Sequence, residues 1–118
     1  MAMCSTLAFA IQNWGGYFVN TPICVQLFND DNKDHPVPHR GGTPQPELAY
    51  EVNTFVLAVP YEMEDVVIII RDANGNELYY DNVLLITDYY MFQVSNSVLT
   101  SMDAVEIYYG NSCWYGSF

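Results

Sequence analysis

Positive charge is scarce in this chain: three Lys or Arg stand against fourteen Asp or Glu, giving a formal net charge of −11. Such a surface repels phosphates where counterion release would normally drive binding, which argues against nucleic acid as a partner. An anionic membrane surface is disfavoured on the same ground. Cationic partners, divalent ions and plain colloidal solubility stay compatible with it. Charged residues of either sign make up only 14% of the sequence, about half the usual share. No apolar run is long enough to span a bilayer, so no transmembrane segment is expected. Amphipathic helical spacing and internal repeats are also missing.

Residues that carry chemistry are equally sparse. Two His and three Cys are present, with no nucleophile elbow, Cys–His signature or zinc-protease helix around them. His35 and His39 are spaced as a zinc pair would be on a helix, but Pro36 and Pro38 forbid that helix and no third ligand is near in sequence. Asp30, Asn32 and Asp34 alternate like the first half of a calcium loop. His35 then stands where Gly is required and Gly41 where Glu closes the loop, which leaves a solvated acidic loop. Asp65, Asp72, Asp81, Asp88 and Glu106 offer carboxylates for sugar hydrolysis, yet nothing in the sequence singles out two of them. The expectation is a protein without cofactor or metal, and not an enzyme.

Sheet-forming residues fill the space. Of 118 residues, 51% are apolar, and ten Tyr, six Phe and two Trp make an aromatic share of 15%. A chain of this length buries roughly two thirds of its unfolded surface, enough for one core. Val66 to Tyr80, VVIIIRDANGNELYY, is the most telling stretch. Five apolar residues predict a strand buried on both faces, with Val66, Ile68 and Ile70 on the core side. Asp72-Ala73-Asn74-Gly75 fits a type I turn closed by a Gly bulge, because Asp bonds its own backbone two residues on and Gly accepts positive φ.

Similar patterns predict strands at 22–28, 48–52, 54–59, 89–94, 104–109 and 113–118, separated by turn signals about every ten residues. Ser95 to Asp103 is a polar connection with Val98 and Leu99 turned inward. The implied fold is all-β: a two-layer antiparallel β-sandwich, immunoglobulin-like, of seven to eight short strands. Residues 29–46 hold four Pro and two Gly and form a long polar loop within a single domain covering 11–118.

Residues 1–10 read differently. They are uncharged and end in Ala8-Phe9-Ala10, a small-x-small triplet of the kind cut by signal peptidase, so they are expected to be a signal-peptide remnant with its true start upstream. The mature chain would then begin at Ile11 and be secreted or periplasmic. Cys4 would leave with the remnant. Cys24 and Cys113 would stay, either as two separate half-buried thiols, the simpler expectation, or as a disulfide between first and last strands.

The tyrosines are the remaining candidates for function. Tyr79, Tyr80, Tyr89, Tyr90, Tyr108, Tyr109 and Tyr115 cluster on the predicted strands, with Tyr61 in the connection before the central hairpin. Strand alternation should turn about half of them inward. Tyr61, Tyr79, Tyr80, Tyr89, Tyr90 and Tyr108 are the possible binding surface, since Tyr offers contact area and a hydroxyl at low entropic cost.

Four segments carry a family resemblance: Pro46-Glu-Leu-Ala-Tyr-Glu-Val-Asn-Thr54, Asp65-Val-Val-Ile-Ile-Ile-Arg-Asp-Ala-Asn-Gly-Asn76, Val105 to Gly110 running into Trp114-Tyr-Gly-Ser-Phe118, and the Cys4 to Ala10 leader end. Together they resemble small exported β-sandwich proteins of gut Bacteroidetes known as domain of unknown function 3244. The resemblance implies an exported immunoglobulin-like sandwich and supplies no catalytic residue. The functional expectation is a non-catalytic interaction or adhesion-type module for a protein or glycan. The alternative is a small glycan- or protein-directed enzyme or inhibitor at the cell surface.

Overall fold

The computed structural model describes residues 22–29 and 45–118. Among the described residues, nine strands run in the order β1 (Ile23–Val25), β2 (Phe28–Asn29), β3 (Glu47–Glu51), β4 (Thr54–Ala58), β5 (Met63–Asp72), β6 (Glu77–Ile86), β7 (Tyr89–Gln93), β8 (Met102–Tyr109) and β9 (Ser112–Ser117). One helical turn and a half, α1 (Asn96–Ser101), separates β7 from β8. The strands form a four-stranded sheet, β1-β3-β4-β7, and a five-stranded sheet, β2-β9-β8-β5-β6. All pairings are antiparallel. The all-β, two-layer sandwich is therefore as the sequence implied, with more strands than the seven or eight expected and two of them ten residues long.

The central hairpin follows its local chemistry. The Gly75 amide donates to the Asp72 carbonyl at 3.0 Å, and Gly75 sits at φ +84°. Asp72 Oδ1 accepts from the amides of Asn74 and Asn76 at 2.9 and 2.8 Å. These bonds, those to Asn76 foremost, hold the Asp72 carboxyl below its ordinary range. β5 then lies between β6 and β8. Val66, Ile68 and Ile70 are fully buried, and Ile69 on the opposite face is nearly so.

The core joins both layers. Leu48, Phe55, Leu57 and Phe92 from one sheet meet Val66, Ile68, Ile70, Val105, Ile107 and Trp114 from the other. Much of the aromatic excess is used here. Tyr50, Phe55, Phe92 and Tyr79 stack in succession with ring centroids 5.0, 5.1 and 5.2 Å apart. Phe118 sets its edge against Tyr50 and Phe55.

Three expectations need correction. The strand expected at 22–28 is two strands: β1 pairs with β3 and β2 with β9, so the chain changes sheets between Val25 and Phe28. The crossing passes over Gly116, where an added Cβ would lie 2.7 Å from the Gln26 carbonyl oxygen and 2.8 Å from Val25 Cγ1. Only a residue without a side chain lets the two layers be joined there. The connection after β7 is partly helical. Ser95 Oγ accepts from the Val98 amide and caps α1, which buries Val98 across the end of the sandwich.

Cys24 and Cys113, third, do not bond to each other. Cys24 is disulfide-bonded and Cys113 is not, so neither the two separate thiols of the simpler expectation nor a bond between the two describes the pair. Their strands belong to different sheets, and it is β2 that runs beside β9. The expected signal-peptide remnant at 1–10 and nearly all of the loop expected at 29–46, with its acidic run and both His, also lie outside the described residues.

Candidate binding face

Because Val66, Ile68 and Ile70 point into the core, alternation turns Val67, Ile69 and Arg71 to the outer face of the five-stranded sheet. The register extends that face strand by strand. Ile69 lies opposite Tyr80 on β6 and Glu106 on β8. Glu106 lies opposite Tyr115 on β9, and Tyr115 opposite Phe28 on β2. One row, Phe28-Tyr115-Glu106-Ile69-Tyr80, therefore crosses all five strands, about 19 Å at the usual strand spacing. A second row sets Cys113, Tyr108, Val67 and Asn82 beside it.

The aromatic members of these rows are open to solvent: Phe28 is 50% exposed, Tyr80 57%, Tyr108 38% and Tyr115 42%. Phe28 and Tyr115 lie ring to ring at 5.8 Å. A polar knot sits among them. Arg71 Nε donates to Glu106 Oε1 at 3.1 Å, and Tyr108 donates its hydroxyl to the same oxygen at 2.9 Å. Arg71 Nη1 also donates to the Gly75 carbonyl at 3.1 Å, which ties the face to the hairpin turn. The guanidinium pKa is raised, first by the hydrogen bond to Glu106 and then by its charge. Tyr108 is pushed up to about 12, by desolvation first and then by its bond to Glu106. The pair is half-open to water, so its worth is specificity of shape more than stability.

The six expected tyrosines do not share one surface. Tyr80 and Tyr108 lie on this face. Tyr79 and Tyr90 point inward instead and share Asp81: both hydroxyls donate to Asp81 Oδ2, at 3.2 and 2.5 Å. Tyr79 belongs to the last strand of one sheet and Tyr90 to the last of the other, so Asp81 closes the open side of the sandwich. Tyr90 is raised to about 12 by that hydrogen bond and by burial, and Tyr79 is raised too, chiefly by burial. Tyr89 lies opposite Ala58 in the four-stranded sheet. Tyr61 stands in the β4–β5 connection beside Tyr109, at 6.3 Å.

Phe28 and Tyr115 complete the face, and neither is among the six. Phe28 shares its parity with the polar Gln26, the one signal in the sequence that it turns outward. Among the described residues no group of three or more His, Cys, Asp or Glu could hold a metal. The carboxylates with described partners serve the fold: Asp72 a turn, Asp81 the clamp and Glu106 an ion pair.

No protein-family model matches this chain, and no curated protein matches it. Among solved structures, it is similar to a domain of unknown function 3244 family protein with an immunoglobulin-like β-sandwich fold from Bacteroides vulgatus ATCC 8482. The likeness has a TM-score of 0.59 at 16% identity and covers 83% of this chain and 97% of that one. This chain has the immunoglobulin-like β-sandwich fold. The resemblance in the hairpin and closing strands thus returns as a shared architecture, at an identity where fold is what is shared. Among the described residues no helix is long and apolar enough to cross a membrane.

Proposed function

We propose that the protein is a non-catalytic, exported interaction module that engages a protein or glycan through the outer face of its five-stranded sheet. The observation that carries this is the row of exposed aromatics, Phe28, Tyr115 and Tyr80 with Tyr108 beside them, set on rigid strands around a hydrogen-bonded Arg71–Glu106 pair. Exposed aromatic clusters of this kind supply contact area with little ordering entropy, and truncation of such anchors typically costs at least about 2 kcal/mol of binding. The opposing possibility of hydrolysis finds less support, because Asp72, Asp81 and Glu106 are each engaged in holding the fold. Export is supported by the uncharged leader ending in Ala8-Phe9-Ala10.

Affinity capture tests the assignment. Wild type and a Tyr108→Ala/Tyr115→Ala variant are immobilised and exposed to envelope and mucus extracts. A component should be retained by wild type and by Met91→Ala, which alters the opposite sheet, and lost from the double variant. Equal retention on all three would defeat the assignment of this face.

A further inference from the structure

A second contact surface lies at the end of the same sheet, where among the described residues β6 pairs with β5 on one side only. Edge strands expose unpaired backbone donors and acceptors, and proteins usually blunt them with Lys, Pro, bulges or short length. β6 is ten residues long, and its second half, Asn82-Val-Leu-Leu-Ile86, has no charge and no Pro. Leu84 is 73% exposed and Leu85 50%. Among the described residues no backbone hydrogen bond reaches β6 from outside its own sheet.

The surroundings of that edge are acidic. Glu64 lies opposite Leu85 in the register. Glu77 opens β6 and Asp88 follows it, while Asp65 lies on β5 and Glu62 just before β5, and all four are exposed. Arg71 is the sole Lys or Arg from residue 45 onward, and Glu106 holds it. An exposed apolar edge with one sign of charge selects its occupant. Two copies pairing β6 to β6 would bring these carboxylates together, within a Debye length of about 8 Å at physiological salt. A strand bearing Lys or Arg on alternate residues would instead meet opposite charge while its backbone completes the ladder.

We propose that β6 accepts an extended, cationic segment of a partner protein by β-strand addition. This surface meets the aromatic face at Tyr80 on β6 but is read out separately: the edge acts through the backbone of β6 with Leu84 and Leu85, the rest of the face through Tyr108, Tyr115 and Phe28. The full chain is titrated against a fluorescently labelled peptide of alternating Lys and Val, its alternately N-methylated form, and an alternating Glu and Val peptide. Only the first should bind saturably, with affinity falling as salt rises. Leu85→Lys, a change at an exposed position, should weaken it by about tenfold, a loss of about 1.4 kcal/mol. Tyr108→Ala/Tyr115→Ala should leave it unchanged. Amide exchange should slow along β6 when the peptide binds. Equal binding of the N-methylated peptide, no effect of Leu85→Lys, or a β6-mediated dimer of the free protein would each overturn the assignment.

Discussion

Replacing Gly116 by Ala adds a single methyl group beneath the β1–β2 crossing, where the chain passes from one layer to the other. The new Cβ would stand 2.7 Å from a backbone oxygen, 2.8 Å from Val25 Cγ1 and 3.2 Å from Leu27 Cδ2. Ordinary contact begins near 3.4 Å, so the Val25–Leu27 crossing must retreat by more than half an ångström. The first obstacle is main chain, which has no rotamer to yield. Overpacking of this kind costs about 1–3 kcal/mol. A chain of this length unfolds with an entropy near 0.25 kcal/mol/K, so each kcal/mol lowers Tm by about 4 °C. Scanning calorimetry should therefore show Gly116→Ala melting about 4–12 °C below wild type. Gly110→Ala is the control for space: nothing lies within 4 Å of its added Cβ, and its cost comes from φ +58° alone. If Gly116→Ala melts within a degree of wild type, the chain does not cross between sheets at Val25–Phe28.

Other perturbations follow from the same structure. Ile68→Ala empties a fully buried position on the central strand and should cost about 2–5 kcal/mol in denaturant unfolding. Val52 holds φ +54° in the exposed β3–β4 turn, a conformation unfavourable to a β-branched residue, so Val52→Gly should raise stability by about 1 kcal/mol. Tyr90 and Tyr108 keep their protons in the folded state up to about 12. Unfolded phenols ionise near 10, so this contribution is whole below about pH 10 and is lost as pH climbs towards 12, which phenolate absorbance during alkaline unfolding will report. For export, intact mass of protein from its native host should show a chain beginning at Ile11, and retention of Met1 would refute it.

What could be read from the chain was whatever local chemistry decides. The Asp72–Gly75 turn, the double-sided burial of β5 and the pairing of the two strands that flank Asn53 each depend on a few neighbouring residues, and each stands where the pattern placed it to within a residue. The break between β1 and β2 was not legible, because the alternation of Ile23 to Phe28 is continuous and the change of sheet is imposed by β9 and Gly116 from the far end of the chain. The tyrosines fail for the same reason. Tyr79 and Tyr80 are neighbours of equal propensity; which one meets Asp81 and Phe92 and which one joins Ile69 on the outer face depends on how β6 registers against β5. Tyr115 and Phe28 became partners only when β2 docked on β9.

Hydroxyl-radical footprinting of the protein alone and bound to a ligand captured from envelope or mucus tests the binding face most directly. Side-chain oxidation should fall at Phe28, Tyr80, Tyr108 and Tyr115 and stay unchanged at Met91 on the opposite sheet. Protection centred on Met91, with the four aromatics oxidised as in the free protein, would contradict the assignment.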